Sequence, residues 1–265
     1  MTIERLRAII DYSKIHATDI QAEITQFCNK MELQNLDGVR NIIQLAKTYL
    51  TEKSYLILQV PLKDAEIGAF VYKGDVVSYL VINSSMPVLN TNLAFCHELY
   101  HIFFPAEEAL NKARVDLDYY SNEDEIRANL FAGNVLMPEA EFRQMFYKFK
   151  AREEKGEDPG ILVSLMNYFK VPFMAVYIRC YELGLITRAP KYLELRPEMI
   201  EAEYEKHWFD TMDLKPSGLD NSEFLFKYVE AKGCEYLNKG YVNARTLQMV
   251  LENMKKLLSK VKAGN

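Results

Sequence analysis

Residues 97 to 101 read His-Glu-Leu-Tyr-His, and this HExxH run sits between Leu93-Ala-Phe-Cys96 and Ile102-Phe-Phe104, the composition of a buried helix. On a helix His97 and His101 are one turn apart and leave the same face, so both imidazoles can hold one Zn2+. Glu98 lies beside them, close enough to a metal-bound water to take its proton. Two imidazoles and a carboxylate in so apolar a helix are costly without a partner such as a metal. Only four histidines occur in the chain, and two fall here with Glu in the required slot, a coincidence of roughly a few in a thousand on the motif alone. His16 and His207 lie in segments with no ligand spacing and read as ordinary histidines.

A catalytic zinc has three protein ligands and keeps a fourth position for water. The metzincin continuation would need Gly at 104 and His at 107, where this chain has Phe104 and Glu107 with Pro105 between them. The third ligand is therefore expected to be a carboxylate further along: Glu107, Glu108, Asp116, Asp118, Glu123, Asp124 and Glu125 are the candidates. Glu125, Ala128, Asn129 and Ala132 share one helical face, and the two alanines would let that helix approach the His97 helix closely, which favours Glu125. The competing reading of Glu125 is a solvated carboxylate in an acidic first turn, where Asp and Glu are favoured anyway.

Around this motif the 265 residues divide by pattern. Leu6, Ile9 and Ile10, then Val39, Ile42, Ile43, Ala46 and Leu50 behind Asp37 as N-cap, predict two or three helices up to about residue 50. Tyr55–Val60, Gly68–Tyr72 and Val76–Ile82 are β-rich, the last two joined by turn chemistry at Lys73-Gly74-Asp75, and they predict a small, mostly antiparallel sheet. Helices are expected at about Thr91–Phe104 and Asn122–Leu136, each ended by a proline, and over residues 139–150. Ala151–Pro159 reads as a linker or mobile loop, and Pro190–Pro197 as irregular. Two short helices, Ile161–Phe169 and Phe173–Leu183, are predicted around Val171-Pro172, with Gly184 as C-cap. The final helix carries Leu247, Val250, Leu251, Met254, Leu257, Leu258 and Val261 on one stripe behind Asn243 as N-cap.

A formal net charge of -5 and a pI near 5.6 leave no overall basic footprint for nucleic acid. Cys28, Cys96, Cys180 and Cys234 are far apart with no CxxC pair, the usage of reduced thiols in a cytosolic protein. Charges in the first residues stand where a signal peptide needs its apolar run, and no stretch holds eighteen uncharged apolar residues. The expectation is a cytoplasmic chain that neither spans a membrane nor binds nucleic acid directly.

The segments Gly68-Ala-Phe-Val-Tyr72, Leu80-Val-Ile-Asn-Ser-Ser-Met-Pro87, Leu93-Ala-Phe-Cys-His-Glu-Leu-Tyr-His101, Glu125-Ile-Arg-Ala-Asn-Leu-Phe-Ala132 and Leu136-Met-Pro138 resemble the ImmA/IrrE metallopeptidases. The likeness covers about residues 55 to 186, the hairpin at 161–186 resembling the family's helix-turn-helix-like element, and is weak or absent over 1–50 and 190–265. It implies an α+β, zincin-like fold: a small, mostly antiparallel sheet packed on the HExxH helix, a helix-turn-helix-like hairpin and extra C-terminal helices. Residues 1–150 would form the metallopeptidase domain, with the sheet at about 54–87 and the active-site helices at about 91–137. Residues 151–265 would form a helical region. The resemblance also implies that His97, His101 and Glu125 ligate one zinc ion and that Glu98 is the general base. Where the family commonly has glycine this chain has Tyr100, whose phenol would fill substrate space, donate to an oxyanion or pack, packing being favoured. Tyr119 and Tyr120 are further candidates for oxyanion contact, and Asn83 for substrate contact at a strand edge or, more simply, a turn.

Three functions compete. A zinc endopeptidase would act on a protein partner, by resemblance a helix-turn-helix transcriptional repressor cleaved during stress or mobile-element induction. A non-catalytic zinc-containing regulatory or toxin–antitoxin protein would use residues 190–265 to dock its partner. A DNA-binding regulator is disfavoured by the acidic pI and by the single basic residue, Arg179, on the hairpin's second helix. Glu98 favours the first, since a structural site has no use for a base beside an open metal position.

Overall fold

The apolar periodicities at the start of the chain resolve into three helices, α1 (Ile3–Ile15), α2 (Ala17–Lys30) and α3 (Ile42–Glu52), in a computed structural model. It describes residues 3–64, 66–73, 78–105, 122–152, 159–186 and 195–263. Leu6 and Ile10 of α1 and Ile42, Ala46 and Leu50 of α3 are buried, as their spacing requires. Asp37 is not the N-cap of α3: that helix starts after Asn41, and Asp37 sits in the preceding turn, its N–H donating to Asn35 Oδ1 at 3.0 Å.

The fold is α+β. Strands β1 (Tyr55–Val60), β2 (Ala69–Tyr72) and β3 (Ser78–Asn83) form one sheet in the order β1-β3-β2. The expected antiparallel character is corrected to a mixed sheet. β2 pairs antiparallel with β3, but β1 runs parallel to β3 over the longer register Tyr55–Ser78 to Val60–Asn83. Turn chemistry at 73–75 reports only on how β2 meets β3. The placement of β1 depends on β2 lying outside the crossover, for which no local signal exists. Residues 74–77 of that turn lie outside the described residues.

Central β3 shows the period of two that a doubly covered strand needs. Leu80 and Ile82 enter the main core, while Val81 joins Leu58, Val60 and Leu62 in a smaller cluster covered by Leu225. On the main-core side lies α4 (Val88–Phe103), which begins right after Pro87, three residues before the position its apolar pattern suggests. The start of β2 runs close to it, for a Cβ on Gly68 would stand 2.8 Å from the Ala94 Cβ. The last carbonyls of α4 are capped by cations from two sides, Lys30 Nζ donating to Phe103 O at 3.1 Å and Lys73 Nζ to His101 O at 3.2 Å.

Helix α5 (Asn122–Leu136) lies against α4, its small residues Ala128 and Ala132 fully buried. Phe27 of α2 packs edge-on to Phe103 of α4 at 5.0 Å and to Phe131 of α5 at 5.4 Å, so α2 closes over both helices. Then follow α6 (Glu139–Lys150), α7 (Pro159–Phe169) and α8 (Phe173–Glu182). Gly184, at φ +64°, donates to Tyr181 O while Leu185 N–H reaches Cys180 O, the paired bonds of a Schellman cap. One buried cluster draws on α1 to α9, combining elements on both sides of residue 150. Among the described residues no single helix is long and apolar enough to cross a membrane; the apolar pair α7 and α8 is bent by 107° and largely buried.

After α9 (Pro197–Lys206) the chain returns to the sheet. The Asn221 side chain takes the Gln59 N–H at 2.7 Å and donates to Ile57 O at 3.2 Å, covering part of the β1 edge. Helices α10 (Ser222–Asn238) and α11 (Ala244–Ala263) then form a hairpin. Asn243 caps α11 by accepting from Thr246 N–H at 2.8 Å. Leu247, Leu251, Met254 and Leu258 are half-buried, whereas Val250 is exposed and outside the expected stripe.

Candidate metal centre

Helix α4 needs no polar partner along most of its length, being built of Leu89, Phe95, Cys96, Leu99, Tyr100 and Phe103, all buried. Against that background His97 and His101, four residues apart, leave it on one face with ring centroids 4.9 Å apart. Across from them Glu125 projects from the first turn of α5. Its Oε2 is 3.2 Å from His97 Nε2, its Oε1 is 3.4 Å from His101 Nε2, and the two Nε2 atoms are 3.1 Å from each other. One ligand atom from each residue falls within 4.8 Å of the other two.

The chemistry of this donor set fits a divalent cation. Asn129, one turn beyond Glu125, donates through Nδ2 to Glu125 O at 2.8 Å, which turns its Oδ1 to His97 Nδ1 at 3.1 Å. Nδ1 must then carry the ring proton, and Nε2 presents a lone pair to the space shared with His101 and Glu125. Two Nε2 atoms at 3.1 Å share at most one proton between them, whereas a cation would satisfy both and the carboxylate together.

The titration pattern agrees. Hydrogen bonds from His101 and His97 hold the Glu125 carboxyl well below the usual carboxylate range. Burial pulls the His97 imidazole down, but the bond to Glu125 and the charges of Glu98 and Glu125 outweigh it and leave the pKa raised. His101 is lowered, by burial first and by the neighbouring His97 charge, against the pull of Glu125. Glu98 is pushed up to about 7 by burial, with the Glu125 charge adding to it and His97 and the Val71 backbone N–H opposing. Val71 belongs to β2, so the backbone of the sheet favours the ionised form of Glu98.

Of the seven carboxylates considered for the third ligand, the structure brings Glu125 to the histidines. Glu123 is exposed and Asp124 half-buried, both outside the cluster, while Glu107, Glu108, Asp116 and Asp118 lie outside the described residues, as do Tyr119 and Tyr120. Tyr100 and Asn83 take the simpler of the roles open to them. Tyr100 is buried and its hydroxyl points to Glu23 Oε1 at 3.4 Å, so the ring packs between helices and the phenol is turned from the ligand face. Asn83 is fully buried: Oδ1 accepts from Leu62 and Ser85 N–H, both at 3.0 Å, and Nδ2 donates to Asp64 O and Ile67 O, both at 2.8 Å. It fixes the loop between β1 and β2. Asn129 and the Val71 N–H have roles that the motif did not reveal, although Asn129 stood on the face picked out by Glu125.

The fold and site together define an α+β protein with a His-His-Glu cluster suited to one metal ion and a half-buried carboxylate beside it. Residues 52–181 match the model of a peptidase family described as the IrrE N-terminal-like domain, in support of the ImmA/IrrE resemblance. No curated protein and no solved structure matches the chain.

Proposed function

We propose that the chain is a zinc-dependent endopeptidase that hydrolyses a peptide bond in a protein partner. The observation that carries this reading is the convergence of His97, His101 and Glu125 from two facing helices, with the half-buried Glu98 next to them. A bound zinc ion supplies Lewis acidity and brings the pKa of its water towards neutrality. Glu98 does the proton work: it accepts a proton from the attacking water and passes it to the leaving amine. Burial suits it to both halves of that task, because a carboxyl at about 7 takes and releases a proton near neutral pH. Asn129 fixes the ring of His97, and Val71 N–H aims the base.

By resemblance, the partner is a helix-turn-helix transcriptional repressor, met in the cytoplasm during stress or mobile-element induction. Direct binding to nucleic acid is not part of the proposal, which is supported by Arg179: the one basic residue of α8 is buried, donating to Met137 O at 3.2 Å and to Glu182 at 3.0 Å.

The test is to incubate the zinc-loaded chain with proteins encoded beside it, comparing wild type with Glu98→Gln. Cleavage by wild type, stopped by a chelator and reduced by about 10²–10⁴-fold in the variant while zinc and partner stay bound, is the expected result. Partner binding without cleavage by wild type would instead favour the non-catalytic regulator.

A further inference from the structure

We propose that Glu23 is a positioning residue for the metal centre: its buried carboxylate ties the helix of His97 and His101 to the helix of Glu125. Glu23 lies on α2, outside the family-matched segment 52–181. The inference rests on the metal-binding reading above.

The Glu23 side chain is 12% exposed, and its Oε1 receives both bonds, from Arg127 Nη2 at 2.8 Å and from the Tyr100 hydroxyl at 3.4 Å. Tyr100 is the residue before His101, and Arg127 stands two after Glu125. Two residues along a helix are about 200° apart, so Arg127 leaves α5 on the side away from Glu125. The rotation of α5 about its own axis is therefore tied, through Arg127, to Glu23 as well as to the cluster at Glu125. That rotation matters, because a turn of about 10° moves a carboxylate about 6 Å from the axis by about 1 Å, against a metal–ligand tolerance of about 0.2 Å. Tyr100 fixes the other helix to the same oxygen, its ring resting 5.6 Å from that of Phe131 on α5. Such a buried carboxylate is expensive to keep, and burial raises its pKa even with Arg127 beside it. An apolar contact would hold α2 in place without that cost, but would not fix the spacing and rotation of two helices at one atom.

The experiment uses the full chain as wild type, Glu23→Gln, Tyr100→Phe and the double variant. Zinc affinity is read by competition with a chromophoric chelator, and ligand geometry by the visible absorption of the cobalt-substituted protein. Each single variant is expected to bind zinc about tenfold more weakly and to alter the cobalt spectrum. The double variant should lose no more than the weaker single, since both act through one carboxylate. Tyr100→Phe removes a single hydroxyl and keeps the packed ring, so it reads the clamp even if Glu23→Gln fails to fold. Variants that melt earlier in the metal-free state but keep wild-type zinc affinity and cobalt spectrum would overturn the inference and leave Glu23 a merely structural group. A wild-type chain that binds neither metal would overturn the metal-binding reading itself.

Discussion

At the scale of single residues the geometry turns on one proton. With Asn129 Oδ1 accepting at His97 Nδ1, the ring is fixed in the tautomer that can ligate, and its plane is set against Glu125 before any metal arrives. Asn129→Ala would leave Nδ1 free to exchange tautomers and the ring free to turn. Zinc affinity should fall by about 10–100-fold, a range typical of losing the outer partner of a ligating histidine. Titration of the variant against a competing chelator checks this, with unchanged helical circular dichroism as the control, because Asn129 is exposed and contributes nothing to the core. How much of the site was legible follows from sequence distance. His97, Glu98 and His101 declare themselves by local spacing, and Glu125 by sharing a face with two alanines. Glu23 gives no local sign, since it meets Tyr100 across 77 residues and only the packing of α2 brings them together. Tyr100 and Asn83 take the simpler of the roles open to them, packing and a turn, but their polar partners lie on distant segments, since a residue name beside a motif does not tell which side of the backbone its polar atom will need.

At the scale of elements, α4 is held between neighbours that each correct one of its weaknesses. Its C-terminus runs into Phe104-Pro105, and Lys30 and Lys73 take over the exposed carbonyls. Its flank must admit β2, because Glu98 depends on the Val71 N–H, and Gly68 makes that approach possible. A methyl group there would meet the Ala94 Cβ, which cannot rotate away. Gly68→Ala is therefore expected to destabilise the fold by about 1–3 kcal/mol, the usual range for overpacking a close contact, as read by urea denaturation. If β2 moves outward to relieve the clash, the metal-free protein should also show a changed Glu98 titration. Stability equal to wild type would show that the two elements have slack the structure does not display. The helices were readable because their stripes are local: Asn122–Leu136 and Glu139–Lys150 stand where the periodicity placed them. The parallel pairing of β1 with β3 was not readable, because strand order is decided by which faces of the sheet find cover.

At the scale of the whole molecule, the proposed metal couples folding to pH. The sign depends on each ligand separately. His97 has its folded pKa raised above the ordinary 6.5, so in the metal-free protein its protonation stabilises the fold below that value, and this contribution is lost as pH rises through the raised pKa. His101 is lowered, so its share runs the other way: its neutral form favours the metal-free fold above the ordinary 6.5, and that contribution is lost as pH falls from there through the lowered value. Glu125, with a depressed pKa, contributes above the ordinary 4.5 and loses that contribution only as pH falls through its lowered value. Near neutral pH zinc thus competes mainly with the proton on His97, and its affinity should climb as pH rises until that proton is gone. Over the same range the metal-free protein gives up the stabilisation it drew from the His97 proton. The proton lost from the metal-free fold is the one zinc displaces, so the stability gap between zinc-loaded and metal-free chain widens with pH as the affinity does. At free zinc of about 100 times the dissociation constant the gap amounts to about 2.7 kcal/mol, and at fixed zinc it should grow with pH from below 6 to above 7. Thermal unfolding of the same preparation with zinc and with chelator, across that range, measures it directly. A gap that shrinks as the solution becomes more alkaline would mean that His97 is not a ligand, because a metal that does not compete with its proton has no reason to gain from its loss.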